Sequence, residues 1–200
     1  MKIPDEALDI LGQDETLAEI LEQSYKRPKY ESKGLFRDLV SAIIAQQVST
    51  SAARTIHGRL ADRFEDQIIT PDGILELSEE ELRACGLSRQ KMSYVKNIAE
   101  HFLSSGHDDD VYEKMENHEI IRDLTQIKGV GEWTVQMVLM MTFEREDVFP
   151  SGDLGIQTVM KDLYNLEGKG KVLKHAMEEI AEHWRPYRTY ACLYMWNTLH

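Results

Sequence analysis

Apolar residues recur at helical spacing along almost the whole chain, and this periodicity limits the fold more than any other feature. The pattern begins at Leu8, continues through segments 35–44, 94–102 and 154–163, and ends near Leu199. Few runs alternate β-branched with polar residues between hairpin turns. We therefore predict an all-α fold of about ten to twelve helices joined by short loops.

The composition fits a folded globular chain and excludes several other classes. Of the 200 residues, 42% are hydrophobic and 29% are charged, which rules out disordered and collagen-like sequences. No apolar run reaches the roughly 20 residues that a transmembrane helix needs. The first ten residues are acidic and have no apolar core, unlike a signal peptide. We expect a protein of the cytoplasm, or of the nucleus in a eukaryote, with no membrane partner.

The cysteine count and the net charge further limit the kinds of site and of binding partner that the chain could have. With only Cys85 and Cys192, the chain cannot supply the four thiolates of an iron–sulfur cluster. The net charge of −12 favours a protein-interaction domain over a nucleic-acid-binding protein. Acidic residues are concentrated in residues 1–24, however, so a local face for an anionic partner remains open elsewhere.

A pair of glycines separates two helical patterns within residues 124–139. We expect the first helix to end near Ile127 and the second to begin at about Glu132. Gly129 and Gly131 allow a sharp turn because they have no Cβ atom. The N–H groups in the first turn of the second helix, together with the helix dipole, could then bind a phosphate. The alternative is an ordinary helix–helix turn with a glycine C-cap.

The whole pattern, Leu-x-x-Ile-x-Gly-Val-Gly-x-Trp-Thr-x-x-x-Val, resembles the helix-hairpin-helix motif, which binds the DNA backbone independently of base sequence. This resemblance implies that the phosphate-binding turn is formed by Gly129, Val130, Gly131 and Thr134. Val130 is apolar, so we expect its side chain to pack into the junction of the two helices.

An aspartate stands at the start of the next helical pattern, after the loop Pro150-Ser-Gly-Asp153. Aspartate is a favoured N-cap worth about 1 kcal/mol, which alone would explain the residue. The hairpin followed by this loop resembles, however, the HhH-GPD superfamily of base-excision DNA glycosylases. The resemblance implies that Asp153 is the catalytic carboxylate. Such a group would stabilise the positive charge that develops on the deoxyribose, and could orient a water molecule.

One position of the hairpin distinguishes the branches of this superfamily. Bifunctional members carry a lysine nucleophile two residues after the second hairpin glycine, where this chain has Trp133. Without that amine no Schiff base can form at this position. The resemblance therefore implies a monofunctional enzyme, which releases a base and leaves the abasic strand uncut.

The C-terminal segment resembles the alkylbase branch, the AlkA-like or 3-methyladenine DNA glycosylase II type. It reads Trp-Arg-Pro-Tyr-Arg-Thr-Tyr-Ala-Cys-Leu-Tyr-Met-Trp over residues 184–196. The resemblance implies a pocket whose aromatic walls suit a cationic alkylated purine. Its members would be Trp133, Met137, Tyr190 and Trp196. Met137 stands where the bacterial type has an aromatic residue, and for Tyr190 packing in the core is an equal alternative.

An upstream segment, Ile-Ile-Ala-Gln-Gln-Val-Ser over residues 43–49, resembles the element that carries the wedge residue of the same family. The resemblance implies that Gln47 enters the gap left by the flipped nucleotide, with Ser49 as a second candidate. Flipping a nucleotide costs a few kcal/mol, so a residue that fills the gap increases the population of the flipped state. The alternative is a helix C-terminus with polar capping residues.

The resemblance also implies an architecture. We expect two helical subdomains, 1–34 with 123–200 and 35–122, with the active-site cleft between them and no N-terminal β-domain. In this family the hairpin holds a monovalent cation through main-chain carbonyls, which correspond here to Thr125, Ile127 and Val130. We expect no required cofactor beyond this structural Na⁺ or K⁺, and no iron–sulfur cluster.

The implied function is the release of alkylated purines of the 3-methyladenine type from double-stranded DNA, by a monomeric enzyme of base excision repair. In a bacterium the enzyme would work at the nucleoid in the cytoplasm, and in a eukaryote it would work in the nucleus. The main alternative is a non-catalytic helix-hairpin-helix protein that binds DNA or serves as a repair scaffold. An assay for base release separates these two functions.

Overall fold

A computed structural model of the chain describes residues 3–23 and 30–199, and these residues form thirteen α-helices and no strand. The all-α prediction is therefore confirmed. The helices are α1 (Asp5–Leu11), α2 (Glu15–Leu21), α3 (Leu35–Ala45), α4 (Thr50–Ala61), α5 (Pro71–Glu76), α6 (Glu79–Ala84), α7 (Arg89–Ser105), α8 (Asp109–Lys114), α9 (Asn117–Leu124), α10 (Glu132–Met141), α11 (Leu154–Tyr164), α12 (Gly170–Ala181) and α13 (Arg188–Asn197). Two 3₁₀ turns, Glu65–Gln67 and Glu182–Trp184, complete the set. Within these described ranges, no helix has the length and apolar character needed to cross a membrane.

The chain divides into two compact units, which we call the terminal unit and the central unit. The terminal unit comprises residues 1–30 and 139–200, and the central unit comprises residues 31–138. The first boundary lies close to the one expected at residue 34. The second boundary differs from the expected one, because the glycine hairpin belongs to the central unit and not to the terminal unit. A cleft between two subdomains stays a prediction.

Contacts with α7 explain why the hairpin belongs to the central unit. The side-chain amide of Asn97 donates a hydrogen bond to the carbonyl oxygen of Lys128, with an N–O distance of 2.9 Å. Three residues earlier on α7, the ring of Tyr94 lies directly against Gly129. These contacts join residues about thirty positions apart. The helical periodicity of the sequence does not predict contacts at that separation.

The core of the central unit is built around α7, the longest of the described helices. Ser88 caps its first turn by accepting a hydrogen bond from the N–H of Lys91, and Gly106 ends it in the left-handed conformation at φ 65°. One face of the helix is apolar and packs against α3 and α5. That face consists of Met92, Val95, Ile98, Ala99 and Phe102, all of them buried.

In the terminal unit, α2, α11 and α13 pack together, and the carboxylate of Asp14 ties the start of the chain to its later helices. One oxygen of Asp14 caps α2 by accepting from the N–H groups of Thr16 and Leu17. The other oxygen accepts from the hydroxyl of Tyr164 at 2.8 Å and from the indole N–H of Trp184 at 2.9 Å. The side chain of Trp184 is fully buried, so the bond to Asp14 satisfies its indole N–H in the core.

We expect Asp14→Asn to lower the free energy of unfolding by about 1–3 kcal/mol at neutral pH, because an amide NH₂ group would face two donors. The pKa of Asp14 lies below its ordinary value: partial burial raises it, but hydrogen bonds from Trp184, Leu17, Tyr164 and Thr16 lower it more. A lowered carboxylate pKa contributes stability that is complete above the unfolded-state pKa and is lost as pH falls through the folded-state pKa.

Urea unfolding of the wild-type and Asp14→Asn proteins as a function of pH tests this expectation. The difference in unfolding free energy should be constant from neutral pH down to the ordinary carboxyl pKa of about 4, and should shrink below it. A difference that persists unchanged in acid would contradict the assignment of this carboxylate as the charged acceptor.

Candidate active site

Asp153 is the N-cap of α11, and its side-chain oxygen Oδ1 accepts two hydrogen bonds. One comes from the backbone N–H of Ile156 and the other from the indole N–H of Trp196, each at 2.9 Å. The two donors hold Oδ1 in place. The helix dipole adds positive potential at this end of α11, which favours a negative charge there. The side chain keeps an intermediate exposure and remains accessible to a ligand.

The loop before Asp153 is held from both sides. The buried hydroxyl of Ser151 donates to a carboxylate oxygen of Glu178 at 2.7 Å, and the side-chain amide of Gln157 donates to the carbonyl of Ser151 at 2.8 Å. The backbone N–H of Asp153 donates to the carbonyl of Pro150 at 2.8 Å, which closes a tight turn. The carboxylate is therefore carried by a well-supported loop, which lowers the cost of orienting it.

Gly155 allows the end of α13 to approach the start of α11. A Cβ atom on Gly155 would lie 2.9 Å from Leu199 and 3.1 Å from Oδ1 of Asp153, which is too close for both contacts to remain as they are. Sequence reasoning did not select Gly155. The nearest of these contacts, Leu199, lies more than forty residues away in the chain, so the local sequence carries no signal for it.

Leu154, directly after Asp153, was assigned to the apolar face of a helix by its spacing. The structure places its side chain at the surface instead, with 77% of its area exposed. An exposed leucine beside a candidate catalytic carboxylate provides an apolar surface next to the site. The periodicity did not predict this exposure, because Leu154 stands at an apolar position of the helical pattern although its side chain does not face the core.

The glycine hairpin has the predicted order of elements, but only one of its two glycines adopts a conformation that requires glycine. Helix α9 ends at Leu124, earlier than the expected end near Ile127, and α10 begins at Glu132 as expected. Only Gly129 adopts a left-handed backbone, at φ 109°, and a Cβ atom there would overlap the ring of Tyr94. At Gly131 the backbone is ordinary and a Cβ atom would meet nothing within 4 Å.

The other residues assigned to the phosphate-binding turn differ in exposure. Val130 is buried, as expected for the junction of the two helices. The side chain of Thr134 is also buried, at 4% exposure, so a phosphate contact by this residue would have to use its backbone N–H group. The carbonyl of Gly131 accepts a hydrogen bond from the N–H of Val135, which makes Gly131 the N-cap of α10.

The residues predicted to line the base pocket fall into different environments. Trp133 is 45% exposed and Met137 is half-buried, and they lie one turn apart on the same side of α10. Trp196 is half-buried and bonds to Asp153 through its indole N–H. Tyr190 is 1% exposed, and its hydroxyl donates to Glu146 at 2.5 Å within the terminal unit. This burial favours the core alternative for Tyr190, and its place in the base pocket stays a prediction.

The wedge candidates lie between α3 and α4. Gln47 is exposed and has a left-handed backbone at φ 56°, which is uncommon for a residue with a Cβ atom. Ser49 is exposed as well, but its hydroxyl already accepts the N–H of Ala52 as the N-cap of α4. Of the two residues, Gln47 thus has the more accessible functional group.

The three carbonyls assigned to a monovalent cation all belong to the loop between α9 and α10. The carbonyl of Ile127 accepts the N–H of Val130 at 3.0 Å, and a carbonyl oxygen with one such bond retains a second lone pair for an ion. Neutral carbonyl oxygens are suitable ligands for Na⁺ or K⁺. In the part of the chain that the structure describes, no group of three or more His, Cys, Asp or Glu side chains could hold a metal ion.

The structure thus brings Asp153 and Trp196 together within the terminal unit, with Gly155 and Leu154 beside them. Within the central unit it places Gln47 at the end of α3 and the hairpin against α7. Two of the predicted side chains, Tyr190 and Thr134, are enclosed in the packing of the protein. The chemistry available at the first of these sites is that of an oriented carboxylate next to an indole ring.

Residues 40–186 match the HhH-GPD superfamily of base excision DNA repair proteins. The chain is 38% identical over 173 residues to DNA-3-methyladenine glycosylase 1 of Schizosaccharomyces pombe, which covers 84% of this chain and 74% of that protein. The solved structure of an S. pombe 3-methyladenine DNA glycosylase in complex with abasic DNA matches with a TM-score of 0.80 and 33% identity, over 96% of each chain. A DNA-3-methyladenine glycosidase from Bacillus halodurans matches with a TM-score of 0.86 and 35% identity, over 98% of this chain and 89% of that one.

Proposed function

Since the chain belongs to the HhH-GPD superfamily of base excision DNA repair proteins, we propose that it is a DNA glycosylase that releases alkylated purines of the 3-methyladenine type. Its partner is double-stranded DNA containing such bases, and its product is an abasic site. The single observation that carries this proposal is the carboxylate of Asp153, held at the start of α11 by the indole of Trp196. The relatives described above are named for the same activity.

The reaction needs little acid catalysis, because alkylation of a ring nitrogen makes the purine cationic and hence a good leaving group. The main task of the protein is to stabilise the positive charge that develops on the deoxyribose as the N-glycosidic bond breaks. The Asp153 carboxylate supplies that negative charge, and it can also orient the water that attacks the sugar. Because two donors already hold Oδ1, little reorganisation of the carboxylate is required during the reaction.

Recognition of the base rests on the aromatic side chains that remain accessible. The exposed ring of Trp133 offers its negative face to a cationic purine, an interaction that strengthens when water is excluded. Met137, one turn along α10, provides a flexible apolar neighbour. Trp196 combines a second aromatic surface with the hydrogen bond to Asp153. The absence of a lysine at position 133 supports a monofunctional enzyme that leaves the strand uncut.

DNA binding is assigned to two elements of the central unit. Gln47 fills the space left by the flipped nucleotide and offers hydrogen bonds to the unpaired base on the opposite strand. The start of α10, at Gly131, binds a phosphate through backbone N–H groups and the helix dipole. These contacts are independent of base sequence, as a repair enzyme that scans DNA requires.

We expect Gly131→Asp to weaken binding to duplex DNA by about tenfold or more at low salt, because it places a carboxylate beside the phosphate. The fold should be unaffected: a Cβ atom has open space at this position, and aspartate is a favoured residue at the cap of a helix. Fluorescence polarisation with labelled duplex measures the affinity. Gly131→Asn is the matched control, since asparagine has the same size and capping ability without the charge.

Equal affinities for the Gly131→Asp and Gly131→Asn proteins would contradict a phosphate at the start of α10. The difference between them should also decrease as salt is added, because a screened charge interacts less with the phosphate. A difference that does not depend on salt would indicate that the substitution acts through the fold.

The proposal includes no required cofactor. We assign the carbonyls of Thr125, Ile127 and Val130 to a structural Na⁺ or K⁺ ion, which would stabilise the hairpin in its phosphate-binding conformation. We further propose a monomeric protein that works wherever its DNA is kept, at the nucleoid of a bacterium or in the nucleus of a eukaryote.

A base-release assay tests the function directly. Duplex DNA treated with a methylating agent is incubated with the protein, free methylated purines are quantified, and strand breaks are scored before and after mild alkali. We expect free methylated purine, with breaks only after alkali. Breaks before alkali would indicate a lyase, and DNA binding without any base release would favour the non-catalytic repair scaffold.

A further inference from the structure

The turn that carries Gln47 is tied down by a lysine from another helix. The ammonium group of Lys91 donates to the carbonyl oxygen of Ile44 at 2.8 Å and to that of Gln46 at 2.7 Å. Carbonyl groups at the end of a helix have no partner within the helix, and here Lys91 supplies one to two of them. Its positive charge also complements the negative end of the dipole of α3.

The geometry of this turn requires an external support. Gln47 follows immediately after Gln46, and its left-handed backbone is a conformation that a residue with a Cβ atom adopts at some cost. A cavity of about 230 Å³, with Gln47 on one side and Lys91 and Tyr94 on the other, opens between the turn and α7. The hydrogen bonds from Lys91 therefore connect the turn to α7 beside this cavity.

The ammonium group of Lys91 sits in a partly desolvated place. The side chain is half-buried between α7 and the end of α3, and this burial lowers the pKa of Lys91 from its ordinary value. The ammonium group of Lys91 therefore contacts protein atoms as well as solvent. Its short hydrogen bonds to two carbonyls account for its position.

Helix α7 supports the hairpin in the same way. Tyr94 lies one turn after Lys91 and packs under Gly129, and Asn97 lies one turn further and bonds to the carbonyl of Lys128. Both elements assigned to DNA are therefore attached to one rigid helix by side chains at successive turns. This arrangement fixes the position of the Gln47 turn relative to the hairpin within the central unit.

We propose that Lys91 is a positioning residue for nucleotide flipping: its ammonium group holds the turn after α3 so that Gln47 enters the gap left by the flipped nucleotide. The inference rests on the proposed function of Gln47 as the wedge. Lys91 itself need not contact DNA. Without the ammonium group, the turn would sample other conformations, and Gln47 would occupy the gap for a smaller fraction of the time.

Fluorescence of a base opposite the gap measures wedge insertion separately from base release. The probe is a duplex that contains a tetrahydrofuran abasic-site analogue with 2-aminopurine opposite it. We expect Lys91→Met to reduce the fluorescence change on binding to the level of Gln47→Ala, and to slow single-turnover base release by about tenfold. Lys91→Arg, which keeps the charge and the donors, should recover part of both losses. Lys96→Met, the same change on the same helix, is the matched control.

A double variant identifies the route by which Lys91 acts. If Lys91 works through Gln47, Lys91→Met combined with Gln47→Ala should release base no more slowly than Gln47→Ala alone. Losses that multiply in the double variant would overturn the proposal, as would Lys91→Met behaving like Lys96→Met. Thermal unfolding monitors the fold, and Lys91→Gln replaces Lys91→Met if that protein does not fold.

The outcomes also separate this inference from the proposed function. Absence of base release by the wild-type protein would contradict the glycosylase proposal, while the fluorescence of the probe duplex would still report on Lys91 and Gln47. Normal base release by every Lys91 variant, with an unchanged fluorescence signal, would contradict the inference and leave the glycosylase proposal in place.

Discussion

The Asp153→Asn protein should bind duplex DNA as the wild-type protein does, yet release methylated purine at least about a hundred times more slowly. Asparagine retains a side-chain oxygen that can accept the hydrogen bonds now made by Ile156 and Trp196 to Oδ1. The cap of α11 and the position of the side chain are therefore preserved. What is lost is the negative charge that would stabilise the sugar as the glycosidic bond breaks.

Single-turnover assays with excess protein measure the chemical step, and polarisation with labelled duplex measures binding. Asp162→Asn is the matched control, because Asp162 is an exposed aspartate on the same helix. It should leave both quantities unchanged. If Asp153→Asn releases base within a few-fold of the wild-type rate, Asp153 is a helix cap only, and the catalytic assignment fails.

The second large effect is expected from Gly129→Ala, which should lower the free energy of unfolding by about 2–4 kcal/mol. The added methyl group would overlap the ring of Tyr94, and the backbone at φ 109° is unfavourable for any residue with a Cβ atom. To remove this overlap, either the hairpin or the ring of Tyr94 must move. We expect DNA affinity to fall as well, because the hairpin is the element assigned to phosphate binding.

Gly131→Ala provides the comparison, since it adds the same methyl group two residues away in the same turn. There the methyl group meets open space and the backbone is ordinary, so we expect a loss of only about 0.5–1 kcal/mol, which reflects the poorer N-cap that alanine makes. Urea unfolding of both variants gives the two values. Similar destabilisation by both substitutions would contradict the distinct conformations of the two glycines.

Much of the fold and part of the site could be predicted from the sequence, because these features are local. The helical period gives the all-α class. The Gly-Val-Gly turn gives the start of α10, and a Pro-Ser-Gly loop before Asp153 marks the start of α11. In each case the information lies within a few residues of the feature. The end of α9 was placed too late because the apolar period continues through Ile127, although the helix itself stops at Leu124.

The features that the sequence did not predict depend on contacts between distant parts of the chain. Tyr190 has the spacing of a core residue and also matches a family position, and only its burial in the structure favours the first of these interpretations. Leu154 fits the same helical period, but its side chain is exposed. The bond from Trp196 to Asp153 and the bonds from Lys91 to the end of α3 each span more than forty residues. Periodicity and turn signals carry no information at that range.

The hydrogen bonds that Asp14 accepts from Tyr164 and Trp184 have a consequence for the order in which the protein can fold during its synthesis. Helix α2 is translated before the central unit, whereas its packing partners α11 and α13 are translated after it. The central unit is complete before those partners exist, and its contacts lie within its own segment of chain. During synthesis, the face of α2 that packs against α11 and α13 therefore stays uncovered until both of these helices have been made. During that interval the uncovered apolar face is open to aggregation.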